Sequence, residues 1–189
     1  MSVIGIDARK IRDFGIGTYI RNLLRGLAAL DQENEYVLLV GPNGPEALAG
    51  LPANFRLLEE RSKVYSAREL FALSWRLWRL KLDLYHATHY VLPLIVPCKT
   101  VVTIHDIIHL LYPQFLPNRL ALFYARVMVR RALSRADRII TVSYNSKRDL
   151  VDYFGITPAR VDVIYNGVSA TIVGTPQASA SAAGRPKPS

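Results

Sequence analysis

The sequence contains little cysteine and no long apolar run, and both absences restrict what the protein can be. Cys98 is the only cysteine among the 189 residues, which excludes an internal disulfide framework and indicates a reducing compartment. No stretch reaches the roughly 18 uninterrupted apolar residues that a membrane span needs. The first ten residues lack the basic start and the apolar segment of an export signal. The sequence therefore predicts a cytoplasmic protein without a membrane-spanning helix.

Acidic residues are also scarce, because 15 aspartates and glutamates stand against 24 lysines and arginines. The net charge of +9 comes from two segments, with +4 in residues 56–81 and +5 in residues 119–138. A basic excess of this kind indicates a nucleic acid, an anionic membrane surface or a phosphorylated ligand, without choosing among them.

The first basic segment also carries both tryptophans of the chain. Trp75 and Trp78 flank Arg76, and arginine beside tryptophan suits the interface of an anionic bilayer. We therefore consider residues 61–81 and 119–135 as a surface for peripheral attachment to the inner face of a membrane. The competing interpretation is that these arginines are ordinary solvated charges. No recognised nucleic-acid module is visible, so nucleic acid is not an expected partner.

Apolar segments typical of strands alternate with helical patterns along the chain. The strand-like segments are "SVIGIDA", "EYVLLVG", "NFRLLE", "DLYHA", "TVVTIH", "DRIITVS" and "VDVIYNGV". Most of them are apolar on both faces, which is typical of a parallel sheet covered by helices on both sides. The sequence therefore predicts an α/β fold with a doubly wound, mainly parallel, Rossmann-like sheet and helices on both faces.

The end of the chain has a different composition. Residues 1–169 form the predicted α/β domain, whereas thirteen of the twenty residues in 170–189 are Ala, Ser, Gly or Pro. Such a segment buries too little apolar surface to offset the entropy of ordering it. We expect a disordered tail in this low-complexity segment.

Polar side chains follow several of the predicted strands at the point where each strand ends. They are Asp7 and Arg9, His86 and His89, His105 and Asp106, Ser143, and Asn166. Ligands of doubly wound sheets bind at the carboxyl ends of the strands. Three of the four histidines come directly after strands, so this edge is the predicted binding edge.

The segment Gly15-Ile16-Gly17 precedes a helical pattern that we expect to begin near Thr18. Glycines let the backbone approach a ligand closely, and the free amides at a helix N-terminus favour a phosphate. The same glycines also suit a tight strand-to-helix turn with no ligand. Both interpretations remain open on these residues alone.

His105 and Asp106 end the most apolar strand of the chain. Near neutral pH a histidine can donate one hydrogen bond and accept another, and Asp106 can orient it or cap the following turn. His109 lies four residues further on, but no third ligand is near, so no metal site is predicted. The simplest role of Ser143 is a helix N-cap, and that of Asn166 is a turn.

Five segments in order carry a family resemblance. They are "GIDARKIRDFGIGTYIRNLL", "DLYHATHYVLP", "TVVTIHDIIHLLYP", "RRALSRADRIITVSYNSKRDLV" and "VDVIYNGV". Together they resemble the N-terminal domain of the family 4 glycosyltransferases, retaining enzymes of GT-B fold. The resemblance covers residues 2–168.

The resemblance implies two Rossmann-like domains facing a cleft, with the nucleotide-sugar bound mainly by the C-terminal domain. Gly15, Ile16 and Gly17 would lie beside the donor diphosphate. His105 would face the donor sugar, with Asp106 supporting its orientation. The other strand-end residues would be His86, His89, Asp7 and Arg9 on the acceptor side, and Ser143 and Asn166 along the cleft.

The implied reaction is transfer of a hexose, with retention, from a nucleotide-sugar to a glycan or lipid-linked acceptor in polysaccharide biosynthesis. The nucleotide-sugar is a co-substrate, and neither a cofactor nor a metal is implied. The donor-domain segments of the family do not occur in these 189 residues. We therefore expect a truncated or split enzyme, inactive by itself, that requires a separate donor-domain polypeptide. The alternative is a non-catalytic module that binds a glycan, a lipid-linked acceptor or a partner subunit.

Overall fold

The computed structural model describes residues 1–42, 44–60 and 67–167. The strands are β1 (Val3–Asp7), β2 (Glu35–Val40), β3 (Phe55–Glu59), β4 (Leu84–Ala87), β5 (Lys99–Thr103), β6 (Arg138–Thr141) and β7 (Val161–Val163). The α-helices are α1 (Phe14–Leu30), α2 (Ala67–Leu80), α3 (Ile108–Leu111), α4 (Arg119–Arg135) and α5 (Tyr144–Phe154). Short 3₁₀ turns lie at Pro45–Leu48, Pro113–Phe115 and Pro158–Arg160.

The seven strands form one parallel sheet in the order β3-β2-β1-β4-β5-β6-β7. The chain starts at β1, builds outward to β3, crosses to β4 on the other side of β1 and builds outward again. The switch point lies between β1 and β4, where doubly wound sheets open a crevice at their carboxyl ends. This topology confirms the predicted α/β fold, including the strand "NFRLLE", which is β3.

The sheet separates two apolar cores. On one side, Ile20 and Leu24 of α1 pack with strand residues that include Ile6 and Leu38. On the other side, helices α2, α4 and α5 share one core, to which they contribute Leu73, Val129 and Leu150 respectively. Burial on both faces explains why the strands read as continuous apolar runs rather than as alternating patterns.

The last strand is shorter than the sequence predicts. β7 ends at Val163, which pairs with Thr141, the last residue of β6, so no partner strand extends further. Residues 164–167 follow without regular structure, and the turn expected at Asn166 would extend into residues outside the described range. The Asn22 side chain of α1 donates to the Gly167 carbonyl at 2.9 Å. The predicted tail, residues 170–189, lies outside the described residues.

The connection from β4 to β5 contains no helix, and an arginine of α4 holds part of it. The Arg131 guanidinium of α4 donates to the carbonyls of Leu92 and Pro93 at 2.8 and 2.6 Å, and also to that of Leu94. These hydrogen bonds tie the segment that follows β4 to the helical layer. No helix within the described ranges is both long and apolar enough to cross a bilayer.

Candidate functional site

The carboxyl ends of β1, β4 and β5 lie side by side, because these three strands are neighbours in the sheet. Asp7 ends β1, His86 is the penultimate residue of β4, and His105 follows β5 by two residues. The structure thus brings together side chains that are far apart in the sequence. They form a single polar network embedded in the apolar sheet.

A buried ion pair lies at the centre of this network. Asp7 and Arg9 have side chains that are only 1% and 2% exposed. Arg9 donates to the Asp7 carboxylate from Nε at 2.8 Å and from Nη2 at 2.5 Å, and its backbone amide donates at 3.2 Å. Burial alone would raise the pKa of Asp7, but the Arg9 guanidinium holds it well below its usual range.

Two aromatic side chains complete the surroundings of Asp7. The Tyr85 hydroxyl donates to its carboxylate at 3.3 Å, and His89 Nδ1 lies 3.8 Å from the same oxygen. Burial lowers the pKa of His89 to about 4, although Asp7 partly offsets this effect. His89 is therefore neutral at pH 7, and its contact with Asp7 is not an ion pair.

A second chain of hydrogen bonds connects β4 and β5 to helix α1. His86 Nε2 lies 2.8 Å from Thr103 Oγ1, and the Tyr19 hydroxyl lies 2.9 Å from the same oxygen. Burial lowers the pKa of His86 to about 4, so this ring is also neutral. His86 is buried within β4 and contacts neighbouring side chains rather than open solvent.

His105 is half-buried and makes two contacts that orient its ring. Its Nε2 lies 3.1 Å from the Thr88 carbonyl oxygen, and the Tyr19 ring meets it edge to face at a centroid distance of 5.0 Å. Burial lowers the pKa of His105, while the Thr88 hydrogen bond and the charge of Asp106 act in the opposite direction.

Asp106 does not hold the His105 ring in the described structure. Its carboxylate accepts from the Ile108 amide at 3.1 Å, which caps the turn that leads into α3. His109 lies within α3 whereas His105 precedes it, so the two histidines do not share a helix face. His109 instead stacks on Tyr90 at 5.4 Å. No group of three or more potential metal ligands occurs among the described residues.

Helix α1 begins four residues earlier than the sequence predicts. It starts at Phe14, so Gly15 and Gly17 lie in its first turn rather than in a preceding loop. The Gly17 amide donates to the Asp13 carbonyl at 2.7 Å. The amides of Phe14, Gly15 and Ile16 are therefore the free donors of the first turn, and they lie at the carboxyl edge of the sheet.

The two glycines have different surroundings. A Cβ atom added at Gly17 would lie 2.3 Å from the Ile11 carbonyl oxygen, whereas one added at Gly15 would meet nothing within 4 Å. Gly17 thus allows α1 to pack closely against the loop that follows β1. Gly15 faces open space at the same edge.

This difference predicts unequal effects of two alanine substitutions on stability. We expect Gly17→Ala to lower the free energy of unfolding by about 2–3 kcal/mol, because the new methyl group would overlap rigid backbone. Gly15→Ala should leave it unchanged or raise it by up to about 1 kcal/mol, since alanine is the better helix former. Urea unfolding of both variants measures the difference, and equal stabilities would contradict the packing role of Gly17.

The two remaining predicted site residues lie apart from the network. Ser143 is the N-cap of α5, and its Oγ accepts from the Ser146 amide at 3.0 Å. Helix α5 begins at Tyr144, so Ser146 is already helical. Asn166 is exposed beyond the end of β7. Gly155 ends α5 at a φ of 65°, a backbone conformation that suits glycine.

Four members of the network were not among the predicted site residues: Tyr19, Tyr85, Thr88 and Thr103. Each lies at a position where the sequence pattern gives only a weak indication of a functional role. Thr103 is a polar residue at the end of an apolar strand, and Thr88 directly follows another. Tyr19 is part of the helical repeat of α1, where an aromatic residue more often indicates core.

Comparison with known proteins identifies a family. Residues 15–171 match the family described as Glycosyltransferase Family 4. The O-antigen chain mannosyltransferase RfbU of Salmonella typhimurium is 28% identical over 82 residues, which are 43% of this chain and 22% of that protein.

Solved structures share the fold. Anabaena HepE in complex with UDP-glucose aligns with a TM-score of 0.61 at 16% identity, over 91% of this chain and 46% of that one. Sucrose-phosphate synthase of Thermosynechococcus elongatus aligns with a TM-score of 0.64 at 16% identity, over 91% and 50% respectively. The chain thus spans about half the length of these solved structures.

Proposed function

Because the chain belongs to glycosyltransferase family 4, we propose that it is the acceptor-side domain of a hexosyltransferase that uses a nucleotide-sugar. The polar network at the carboxyl ends of β1, β4 and β5 carries this proposal, since it places the oriented imidazole of His105 beside the switch point of the sheet. The proposed acceptor is a glycan or a lipid-linked sugar, and the proposed stereochemistry is retention. The mannosyltransferase relative and the UDP-glucose complex of HepE support a hexose donor.

The proposed roles follow from the geometry of the edge. His105 would contact the donor sugar, and the amides of Phe14, Gly15 and Ile16 would face the diphosphate. Helix-terminal amides suit a leaving diphosphate, because they stabilise negative charge without a proton transfer. His86, His89, Asp7 and Arg9 are buried, so they would act on the acceptor by shaping the floor of the site.

We further propose that tight binding of the nucleotide-sugar requires a second domain. The support is that the aligned solved structures are about twice as long as this chain. Residues 1–189 alone are therefore expected to show no sugar transfer. Measurable transfer or hydrolysis of UDP-glucose or GDP-mannose by this chain alone would contradict this part of the proposal.

A substitution at His105 tests the proposed site. In the complete transferase that carries this domain, His105→Ala should lower kcat by about 100-fold, the loss typical for a group that stabilises a transition state. His109→Ala is the matched control, since His109 lies on α3 and stacks on Tyr90 outside the network. Equal activity of both variants, measured by release of the nucleoside diphosphate, would exclude His105 from the reaction centre.

An anionic membrane is the proposed location of a lipid-linked acceptor. Helices α2 and α4 lie on the same side of the sheet and share one core. On α2, Trp75 and Trp78 are 57% and 66% exposed, and the Arg79 guanidinium lies 4.0 Å from the Trp75 ring centroid. On α4, the exposed side chains include Leu120, Phe123, Val127, Arg119, Arg126 and Arg130. Residues 61–66 of the basic segment lie outside the described residues.

Vesicle co-sedimentation tests this surface. Binding should rise with the fraction of anionic lipid and fall with salt, because both apolar contact and charge contribute. Trp75→Ser combined with Trp78→Ser should weaken binding about tenfold, which corresponds to 1.4 kcal/mol. Leu30→Ser is the control, because Leu30 is an exposed apolar residue of α1 on the other side of the sheet. Binding that is independent of lipid charge would contradict the proposal.

A further inference from the structure

The protonation of the His105 ring is determined by its hydrogen-bond partner. Its Nε2 lies 3.1 Å from the Thr88 carbonyl oxygen, and a carbonyl oxygen can only accept. Nε2 must therefore carry the hydrogen. In the neutral ring the lone pair then resides on Nδ1, for which the described residues supply no hydrogen-bond donor.

The Thr88 carbonyl is itself held in place. The Thr88 side chain is fully buried, and its hydroxyl donates to the Asp7 backbone carbonyl at 2.6 Å. Asp7 ends the interior strand β1, so this hydrogen bond attaches the start of the β4–β5 connection to the sheet. Thr88 thus links the sheet to His105 through two separate groups, the hydroxyl and the carbonyl.

Tyr19 holds the ring from helix α1. The two ring planes meet at 86° with a centroid distance of 5.0 Å, the edge-to-face geometry that aromatic pairs favour. The Tyr19 hydroxyl is tied to Thr103 Oγ1 at 2.9 Å, and Thr103 is buried at the end of β5. The phenol ring therefore cannot turn away from His105 without losing this hydrogen bond.

We propose that Thr88 and Tyr19 are positioning residues that hold His105 as its Nε2–H tautomer, so that Nδ1 meets the sugar ligand as a hydrogen-bond acceptor. The ligand group it suits is a sugar hydroxyl, which can donate to this nitrogen. This inference rests on the proposed function for the identity of the ligand, but its account of the ring does not.

The charged and titratable groups around His105 favour the neutral ring at pH 7. Burial is the largest influence and lowers the pKa of His105. Asp106 acts in the opposite direction, but its carboxylate accepts from the Ile108 amide. Lys10 lowers the pKa further, and the nearby His86 and His89 are neutral rings.

Nitrogen-15 NMR of the histidine-labelled 189-residue chain tests the tautomer directly. In the wild-type protein at pH 7, His105 should show a protonated, pyrrole-type Nε2 and an unprotonated, pyridine-type Nδ1. Thr88→Val keeps the carbonyl but removes the hydroxyl that anchors it, so His105 should become a mixture of tautomers. Thr88→Ser restores the hydroxyl and should restore the wild-type spectrum.

Tyr19 provides a second, independent pair of variants. Tyr19→Leu removes the aromatic edge and opens the ring to water, so the pKa of His105 should rise toward its ordinary value of about 6.5. Tyr19→Phe keeps the aromatic ring edge and should shift the pKa of His105 less. The His109 signals serve as the control for folding in the Tyr19 variants, because His109 stacks on Tyr90 and not on Tyr19.

A wild-type ring protonated on Nδ1, or charged at pH 7, would overturn the proposal even if no variant folds. Identical His105 spectra for Thr88→Val and the wild type would overturn the role of Thr88. These measurements need no turnover. An unchanged kcat of His105→Ala in the complete enzyme would therefore contradict the proposed function while leaving the tautomer result intact.

Discussion

Replacing Arg9 with methionine is expected to lower the free energy of unfolding by about 3–5 kcal/mol, the cost of leaving a buried charge without its partner. Arg9 and Asp7 are buried together, and the guanidinium makes two hydrogen bonds to the carboxylate. Methionine fills a similar volume, so the loss would come from the charge rather than from a cavity. Urea unfolding followed by circular dichroism at pH 7 measures this effect.

A double substitution separates the charge effect from packing. Asp7→Asn combined with Arg9→Met removes both charges, and this variant should be more stable than Arg9→Met alone. The reason is that no buried carboxylate remains to be desolvated. The loss in free energy of unfolding caused by Arg9→Met should also become smaller as the pH falls. The reason is that burial without Arg9 raises the pKa of Asp7 and favours its protonated form.

The same variants distinguish a structural role of Arg9 from direct contact with an acceptor. A stability loss below about 1 kcal/mol for Arg9→Met would contradict the buried-pair account. If Arg9 contacted only the acceptor, the substitution would raise KM in the complete enzyme without altering unfolding. The burial of the Arg9 side chain favours the structural role.

Mild acid is expected to destabilise the protein through its buried histidines. Burial lowers the pKa of both His86 and His89 to about 4, whereas both have a pKa near 6.5 in the unfolded chain. Between pH 4 and 6.5 the unfolded state therefore binds more protons than the folded state. The contribution of these histidines to the free energy of unfolding is wholly present above pH 6.5. It falls as the pH drops through this window, by on the order of 2–3 kcal/mol for each histidine.

The pH window identifies the groups responsible. Carboxylates such as Asp7 add their own loss of stability only near and below pH 4, so the range from pH 5 to 6.5 reports the histidines. Burial lowers the pKa of His105 and His109 as well, and both act in the same direction. Urea unfolding at several pH values measures the slope. A stability that is constant from pH 7 to pH 5 would show that these rings titrate normally.

NMR titration of the folded protein measures the native-state pKa values of His86 and His89 directly. The His86 and His89 ring signals should not move above pH 5, because both rings stay neutral in the native state. His89→Gln should remove about half of the acid-dependent slope, since one of the two most strongly perturbed sites is gone. A folded His89 that titrates near pH 6.5 would contradict the buried, neutral ring.

The α/β fold was predictable because its evidence is local. A parallel sheet covered on both faces makes each strand a short apolar run, and the helices between the strands repeat their apolar residues every three to four positions. Both patterns are visible within ten to twenty residues. The boundaries were less accurate: α1 begins at Phe14 rather than near Thr18, and β7 ends at Val163. Those ends depend on a close packing contact at Gly17 and on where β6 stops.

The sequence by itself determined the fold class and the strand ends at which Asp7, His86 and His105 lie, because each strand end is a local change from apolar to polar residues. Only the tertiary structure decided which groups meet there. Thr88 rather than Asp106 holds the His105 ring, and Tyr19 reaches Thr103 from 84 positions away in the chain. Such contacts depend on the parallel register of neighbouring strands and on the rotation of α1 against the sheet, and a linear pattern of residues encodes neither of them.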